Sequence, residues 1–190
     1  LGIIHAQVYD SNVTQLTSVR TMASVPFGCR YRFIDFPLSN MVNAGVTSVG
    51  IVTKDNYQSL MDHIGSGKPW DLARKREGMF LLPPYNTSFV TPGTRDSRID
   101  SLMSNLDFLN HARQEYVIMT DANAVYNLDF DDLFEAHTES GADITIVYKH
   151  GKTPKLSNAM VLTMDEDKRV TDIATVSYTH LRAHETLANL

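Results

Sequence analysis

Three arginines, Arg20, Arg30 and Arg32, fall in the segment RTMASVPFGCRYRFIDFPLSNMVNAG, residues 20 to 45. A guanidinium is always charged and grips phosphate oxygens in a forked geometry, so these residues suit the holding of a phosphorylated ligand. Arg30 and Arg32 alternate across Tyr31. On an extended backbone both would face a phosphate together; the alternative is that they pair with Asp35 or with carboxylates of a neighbouring subunit. A second group stands in TDANAVYNLDF, which carries Asp121, Asn123 and Asp129. Asp121 is a charged oxygen ligand of the kind Mg²⁺ takes, whereas Asn123 offers only a neutral carbonyl oxygen. The other reading of Asp121 is a strand-end or turn residue. Asp129, followed by Asp131 and Asp132, reads as the cap of a helix whose positive end favours carboxylates.

Other chemistries find little support. The seven histidines are dispersed, and none pairs with a cysteine or carboxylate at metal-ligand spacing. His180 and His184 are four apart, but they lie in a tail set aside below. No metal site is therefore assigned. Cys29 has no histidine near it in the sequence and no serine sits in a nucleophile elbow, so nucleophilic catalysis is not expected.

The elements that must position these residues alternate between short apolar runs and helical stretches, which argues for a βαβ succession and a mostly parallel sheet. Strands are expected over 1–5, 48–53, 116–120 and 144–148, and helices over 35–44, 57–64, 98–111 and 131–140. The third helix places Ile99, Leu102, Met103, Leu106 and Leu109 on one stripe, read as core packing rather than a methionine-lined cofactor box. Gly45, Gly65 and Gly141 read as helix C-terminal caps. Two long connections, 6–29 and 83–97, break the rhythm, and the first would lie at a strand end where α/β sheets bind ligands. A hairpin follows over 159–164 and 169–174, turned by Asp165 to Lys168.

The 190 residues, 43% of them apolar, suffice for one ordinary core. With 17 basic and 22 acidic residues the net charge is −5, and the longest basic run is Arg74 to Arg76, so neither nucleic acid nor a membrane surface is expected as a partner. One cysteine rules out an internal disulfide framework and fits a reducing compartment, making the cytoplasm the expected location. No apolar run reaches the roughly 18 residues of a spanning helix.

The segment 20–45 resembles the N-terminal signature R-A-K-P-A-V-P-F-G-G-R-Y-R-hydrophobic-I-D-F-P-L-S-N of the glucose-1-phosphate adenylyltransferase (ADP-glucose pyrophosphorylase) family. Further anchors are YQSLMDHIGSGKPWDL, NLDFL, EYVIMTD and SGADITIVYK, which look more like the regulatory (GlgD-type) bacterial subunit than the catalytic one. The resemblance covers about residues 1 to 175. It implies an α/β, Rossmann-like nucleotide-diphospho-sugar transferase domain with a mostly parallel sheet, incomplete here and followed in the family by a left-handed β-helix. Residues 1–175 are thus read as the N-terminal part of that domain, and 176–190 as a non-native tail resembling translated adapter sequence.

Departures from the family pattern carry the functional expectation. The family's glycine-rich turn A-G-G-x-G-[TS]-R-L, which lets bare backbone approach phosphate, aligns without gaps on Ala6, Gln7, Val8, Tyr9, Asp10, Ser11, Asn12 and Val13. All three glycines and the arginine are gone. The phosphate-contacting lysine of R-A-K-P falls on Met22 and its proline on Ala23, and the second glycine of F-G-G-R becomes Cys29, a small, half-buried substitute. In the family's G-D-H-[IV]-Y stretch the Mg²⁺-holding aspartate falls on Asn123. Were the strand to continue, Asp121 would stand about 7 Å from that position, too far to substitute in bonds of about 2.1 Å. The family resemblance implies Mg²⁺, ATP and glucose 1-phosphate as ligands and a heterotetramer with catalytic subunits. The expected role is a regulatory subunit of ADP-glucose formation in glycogen biosynthesis, with weak or no catalysis of its own. Two alternatives stand beside it: an active nucleotidyltransferase with a remodelled loop using Asp121 and Arg20, and a module that senses a nucleotide or sugar phosphate without chemistry.

Overall fold

The structure is a computed structural model, and it describes residues 1–6, 13–83, 98–151 and 159–176. The substituted phosphate-loop positions Gln7 to Asn12, most of the second long connection, and 177–190 lie outside the described residues. The chain divides into two compact units, Leu1–Ala142 and Asp143–Leu190.

In the first unit a parallel sheet is built from β1 (Gly2–His5), β4 (Ser48–Val52), β5 (Gly78–Leu82) and β6 (Ile118–Asp121), in the order β5-β4-β1-β6. β1 and β4 are buried at every position, as their unbroken apolar runs require of strands covered on both faces. On one face Ile4, Val49 and Ile51 pack with Ile34, Leu38 and Met41 around α2 (Asp35–Asn43), with Leu60 and Ile64 of α3 (Gln58–Ile64), and with Phe130 of α6 (Phe130–Ser140). On the other, Ile3, Val52 and Leu82 meet Leu102 of α4 (Arg98–Met103) and Phe108 and Leu109 of α5 (Leu106–Asn110). Helices cover both faces of a parallel sheet, the α/β architecture expected from the sequence.

Several details differ from the sequence reading. β5 was not foreseen, and it forms the edge beside β4. The long first connection is not structureless: it holds α1 (Thr14–Thr17) and a two-strand ribbon, β2 (Pro26–Phe27) against β3 (Tyr31–Arg32). The single helix expected over 98–111 is two helices, because the buried Asn105 breaks the ladder while its amide donates to the Ser101 carbonyl at 2.9 Å. Of the expected stripe Leu102 and Leu109 pack while Met103 and Leu106 are exposed, and Phe108 fills the core in their stead. Gly45 and Gly141 do follow α2 and α6 in left-handed conformations, and Gly65 follows α3 with positive φ.

The second unit contains the hairpin β7 (Ala159–Met164) and β8 (Val170–Val176). Asp165 organises its turn, its side chain accepting from the Asp167 and Arg169 amides at 3.1 and 2.8 Å. The run 144–148 is not a strand: it pairs into no sheet among the described residues, and Ile144 and Val147 are exposed. An alternating apolar pattern gives a strand its faces, but only a neighbouring ladder makes it one.

Candidate functional site

The C-terminal edge of the sheet, where parallel α/β sheets take their ligands, is reached by the ends of β1 and β6. Their register sets His5 beside Asp121. β6 stops at Asp121, and Ala122 and Asn123 form a turn rather than a continued strand. Ala122 is locked in place by donating its amide to the His5 carbonyl at 3.0 Å, while Asn123 is exposed. Asp121 faces Arg98, the first residue of α4. The Arg98 Nε donates to Asp121 Oδ1 at 3.0 Å and a terminal nitrogen donates to Oδ2, so both carboxylate oxygens are engaged. This bidentate pair fixes the carboxylate's direction.

Below the pair, the His5 side chain is 5% exposed and its Nε2 has no hydrogen-bond partner among the described residues. Burial pushes its pKa down, with Asp121 opposing and Arg98 adding to that shift. Tyr126 shares a 2.6 Å hydrogen bond with the Thr120 hydroxyl, and burial raises its phenol above the ordinary value. The Asn40 amide donates to the Tyr126 carbonyl at 3.2 Å, tying α2 to the loop after β6. Asp129 caps α6 through the Asp131 amide at 2.9 Å, as its position suggests.

The donor set near Asn123 fits Mg²⁺ poorly. A hard dication needs charged or freely directed oxygens, yet Asn123 is neutral and the oxygens of Asp121 already serve a guanidinium. Among the described residues no three His, Cys, Asp or Glu side chains converge on a point.

The arginines of the first segment part company. Arg20 is half-buried in the bend after α1. Arg32 sends its guanidinium to Ser59 on α3, donating to the carbonyl at 2.6 Å and to the hydroxyl at 2.7 Å. Only its backbone amide meets Asp35, at 2.9 Å to Oδ2, so the side-chain pairing with Asp35 does not form. The partner of Asp35 is instead His63, with Nε2 to Oδ1 at 2.6 Å. Arg30 lies over the Tyr31 ring, 5.4 Å from its centroid. Arg30, Tyr31, Asp35, Ser39, His63 and Trp70 all line one cavity of about 340 Å³, which thus offers a cation, a histidine and aromatic faces. His63, Trp70 and Arg98 were not singled out from the sequence, since their contacts join residues 23 to 31 positions apart.

Met22, where the resemblance would set a phosphate-contacting lysine, is 7% exposed, and Ala23 beside it is fully buried. An ammonium carried there would have to leave water, at a cost that burial of an unpaired charge makes large. Cys29, by contrast, is exposed rather than half-buried, and it holds φ +71° beside Gly28 at +59°. The tight return from β2 to β3 requires a left-handed backbone there, which a glycine adopts freely and which is an unfavourable setting for a residue with a Cβ.

Comparison with known proteins places this geometry. Residues 11–174 match the family model described as nucleotidyl transferase. A glycogen biosynthesis protein GlgD from Geobacillus stearothermophilus is 41% identical over 153 residues, 80% of this chain and 44% of that protein. The Bacillus subtilis protein of the same name is 38% identical over the same shares. A glucose-1-phosphate adenylyltransferase from Lachnospira eligens is 35% identical over 176 residues, 90% of this chain and 40% of that enzyme. The chain therefore spans less than half the length of these curated relatives. With its helix-covered parallel sheet and a family match over most of its length, this chain belongs to the nucleotidyl transferase family.

Proposed function

We propose that this chain is part of a regulatory subunit of glucose-1-phosphate adenylyltransferase in glycogen biosynthesis, working in the cytoplasm in a heterotetramer with catalytic subunits and carrying weak or no catalysis itself. The observation that carries the reading is the state of the carboxylate end of β6. Asn123 stands in a turn without charge, and Asp121 is bound on both oxygens by Arg98. Transfer of a nucleotidyl group needs cations aimed at the reacting phosphates; here Met22 is buried and apolar, and positions 7–12 contain no glycine. Mg²⁺ and ATP would then be held productively by the partner rather than by this chain.

The decisive measurement is ADP-glucose formation from ATP, Mg²⁺ and glucose 1-phosphate by the full-length protein alone, and again with a catalytic glucose-1-phosphate adenylyltransferase added. The expected result is no turnover alone and an altered rate or effector response in the mixture. Turnover by the protein alone at about 1 s⁻¹ or more, an ordinary enzyme rate, would overturn the reading.

The cavity holding Arg30, His63 and Trp70 favours a second reading, a sensing module that binds a nucleotide or sugar phosphate without chemistry. Calorimetric titration with ATP, ADP-glucose and glucose 1-phosphate separates the two, because a purely architectural subunit gives no heat with any of them.

A further inference from the structure

We propose that a groove at the N-terminal edge of the sheet is a second binding site, for an organic anion that carries two or more negative charges and a ring. The groove has a volume of about 650 Å³, inside the ~300–1,000 Å³ range of small-molecule sites. It opens where the chain enters two strands and leaves a helix: Ser48 begins β4, Arg74 and Arg76 precede β5, and His111 and Arg113 follow α5. Because β4, β1, β5 and β6 all run parallel, this edge is opposite the one that carries His5 and Asp121.

Charge is concentrated here against the sign of the molecule. Three arginines line the groove with one carboxylate, Glu77, in a chain whose net charge is −5. Arg74 is fixed in the wall, its Nε donating to the Asp71 carbonyl at 2.9 Å and a terminal nitrogen to the Asp71 carboxylate at 2.5 Å. Arg76 and Arg113 have no carboxylate partner among the described residues, so their charge is available to a ligand. His111 donates its Nδ1 hydrogen to the Asp107 carbonyl at 2.7 Å, which orients the ring and leaves Nε2 as its second polar atom.

The floor is aromatic. Phe80, 37% exposed on the edge strand, and Phe108 stand with ring centroids 5.2 Å apart at 55°. Unpaired guanidiniums beside an accessible phenyl ring meet two needs at once: forked contact with phosphate or carboxylate oxygens, and a face for the ligand's ring. The inference is independent of the regulatory reading, since it concerns neither turnover nor the cleft edge of the sheet.

Phenyl phosphate is the test ligand and inorganic phosphate its comparison, followed by titration calorimetry. Phenyl phosphate is expected to bind more tightly than phosphate, and to weaken as salt is raised from ~0.05 to ~0.5 M. The double variant Arg76→Ala with Arg113→Ala should weaken it about tenfold or more, as loss of charge-assisted hydrogen bonds implies. Arg169→Ala, in the turn between β7 and β8, should leave it unchanged. Phe80→Leu should reduce phenyl phosphate binding while sparing inorganic phosphate, and circular dichroism checks that each variant is folded. No heat with phenyl phosphate, binding that survives the double variant, or binding lost equally with Arg169→Ala would each overturn the proposal.

Discussion

A histidine at the end of β1 shows how burial can link stability to pH. His5 is nearly inaccessible, its Nε2 is unpartnered among the described residues, and its folded pKa lies below the ordinary value of 6.5. As pH falls through about 6.5 the unfolded chain takes up a proton that the folded one refuses. Stability therefore drops below that pH and levels off once the folded value is passed. Urea midpoints measured from pH 7.5 to 5 should fall for the wild type and fall less for His5→Gln; parallel curves would show that the acid sensitivity comes from elsewhere. Nothing in the sequence marks His5, because a histidine closing an apolar run is the same letter whether buried or exposed. The Asp129 cap was legible, since its partner is two residues away. The pairs Arg98 with Asp121 and His63 with Asp35 were not, since only the folded chain joins residues 23 and 28 positions apart.

At the scale of elements, legibility followed the strength of the local pattern. β1, β4, α2 and α3 came out close to their sequence bounds because their apolar runs and glycine caps agree. The break at Asn105 did not, since a buried amide reaching back to Ser101 outweighs an otherwise helical stripe. β5 was missed although GMFLL is a short apolar run, and its entrance is the most constrained point of the sheet. Gly78 has φ +122°, and a Cβ there would stand 2.3 Å from the Leu72 carbonyl oxygen. Backbone cannot yield as a side chain tip can. Gly78→Ala is accordingly expected to cost roughly 2–4 kcal/mol, by backbone strain and displacement of the Leu72 segment. A loss under about 0.5 kcal/mol in denaturant unfolding would mean that the entrance relaxes freely.

For the molecule as a whole, fold class and family were readable because signature residues and helix-covered strands point the same way, and the comparisons agree. The segment 144–148 was read as a strand and is not one in the structure, since strand pairing is a property of neighbours and not of the run itself. The functional question also belongs to this scale, because it asks what a domain with this fold does beside a partner. If the chain regulates rather than catalyses, Asp121→Asn in the full-length protein should change the rate of the assembled enzyme less than twofold. The variant should lose about 1 kcal/mol or less in stability, the pair with Arg98 being partly exposed. A catalytic metal ligand would instead cost orders of magnitude in rate, so a steady-state assay of the reconstituted complex distinguishes the two.

The turn between β2 and β3 has one more consequence. Its sulfhydryl is the only one in the sequence and it is exposed, one residue from the guanidinium that lies over Tyr31. A maleimide dye would therefore attach at a single known place, at the tip of the ribbon bordering the Arg30 and Trp70 cavity. Its emission would give an optical readout of occupancy there without engineering a new attachment point.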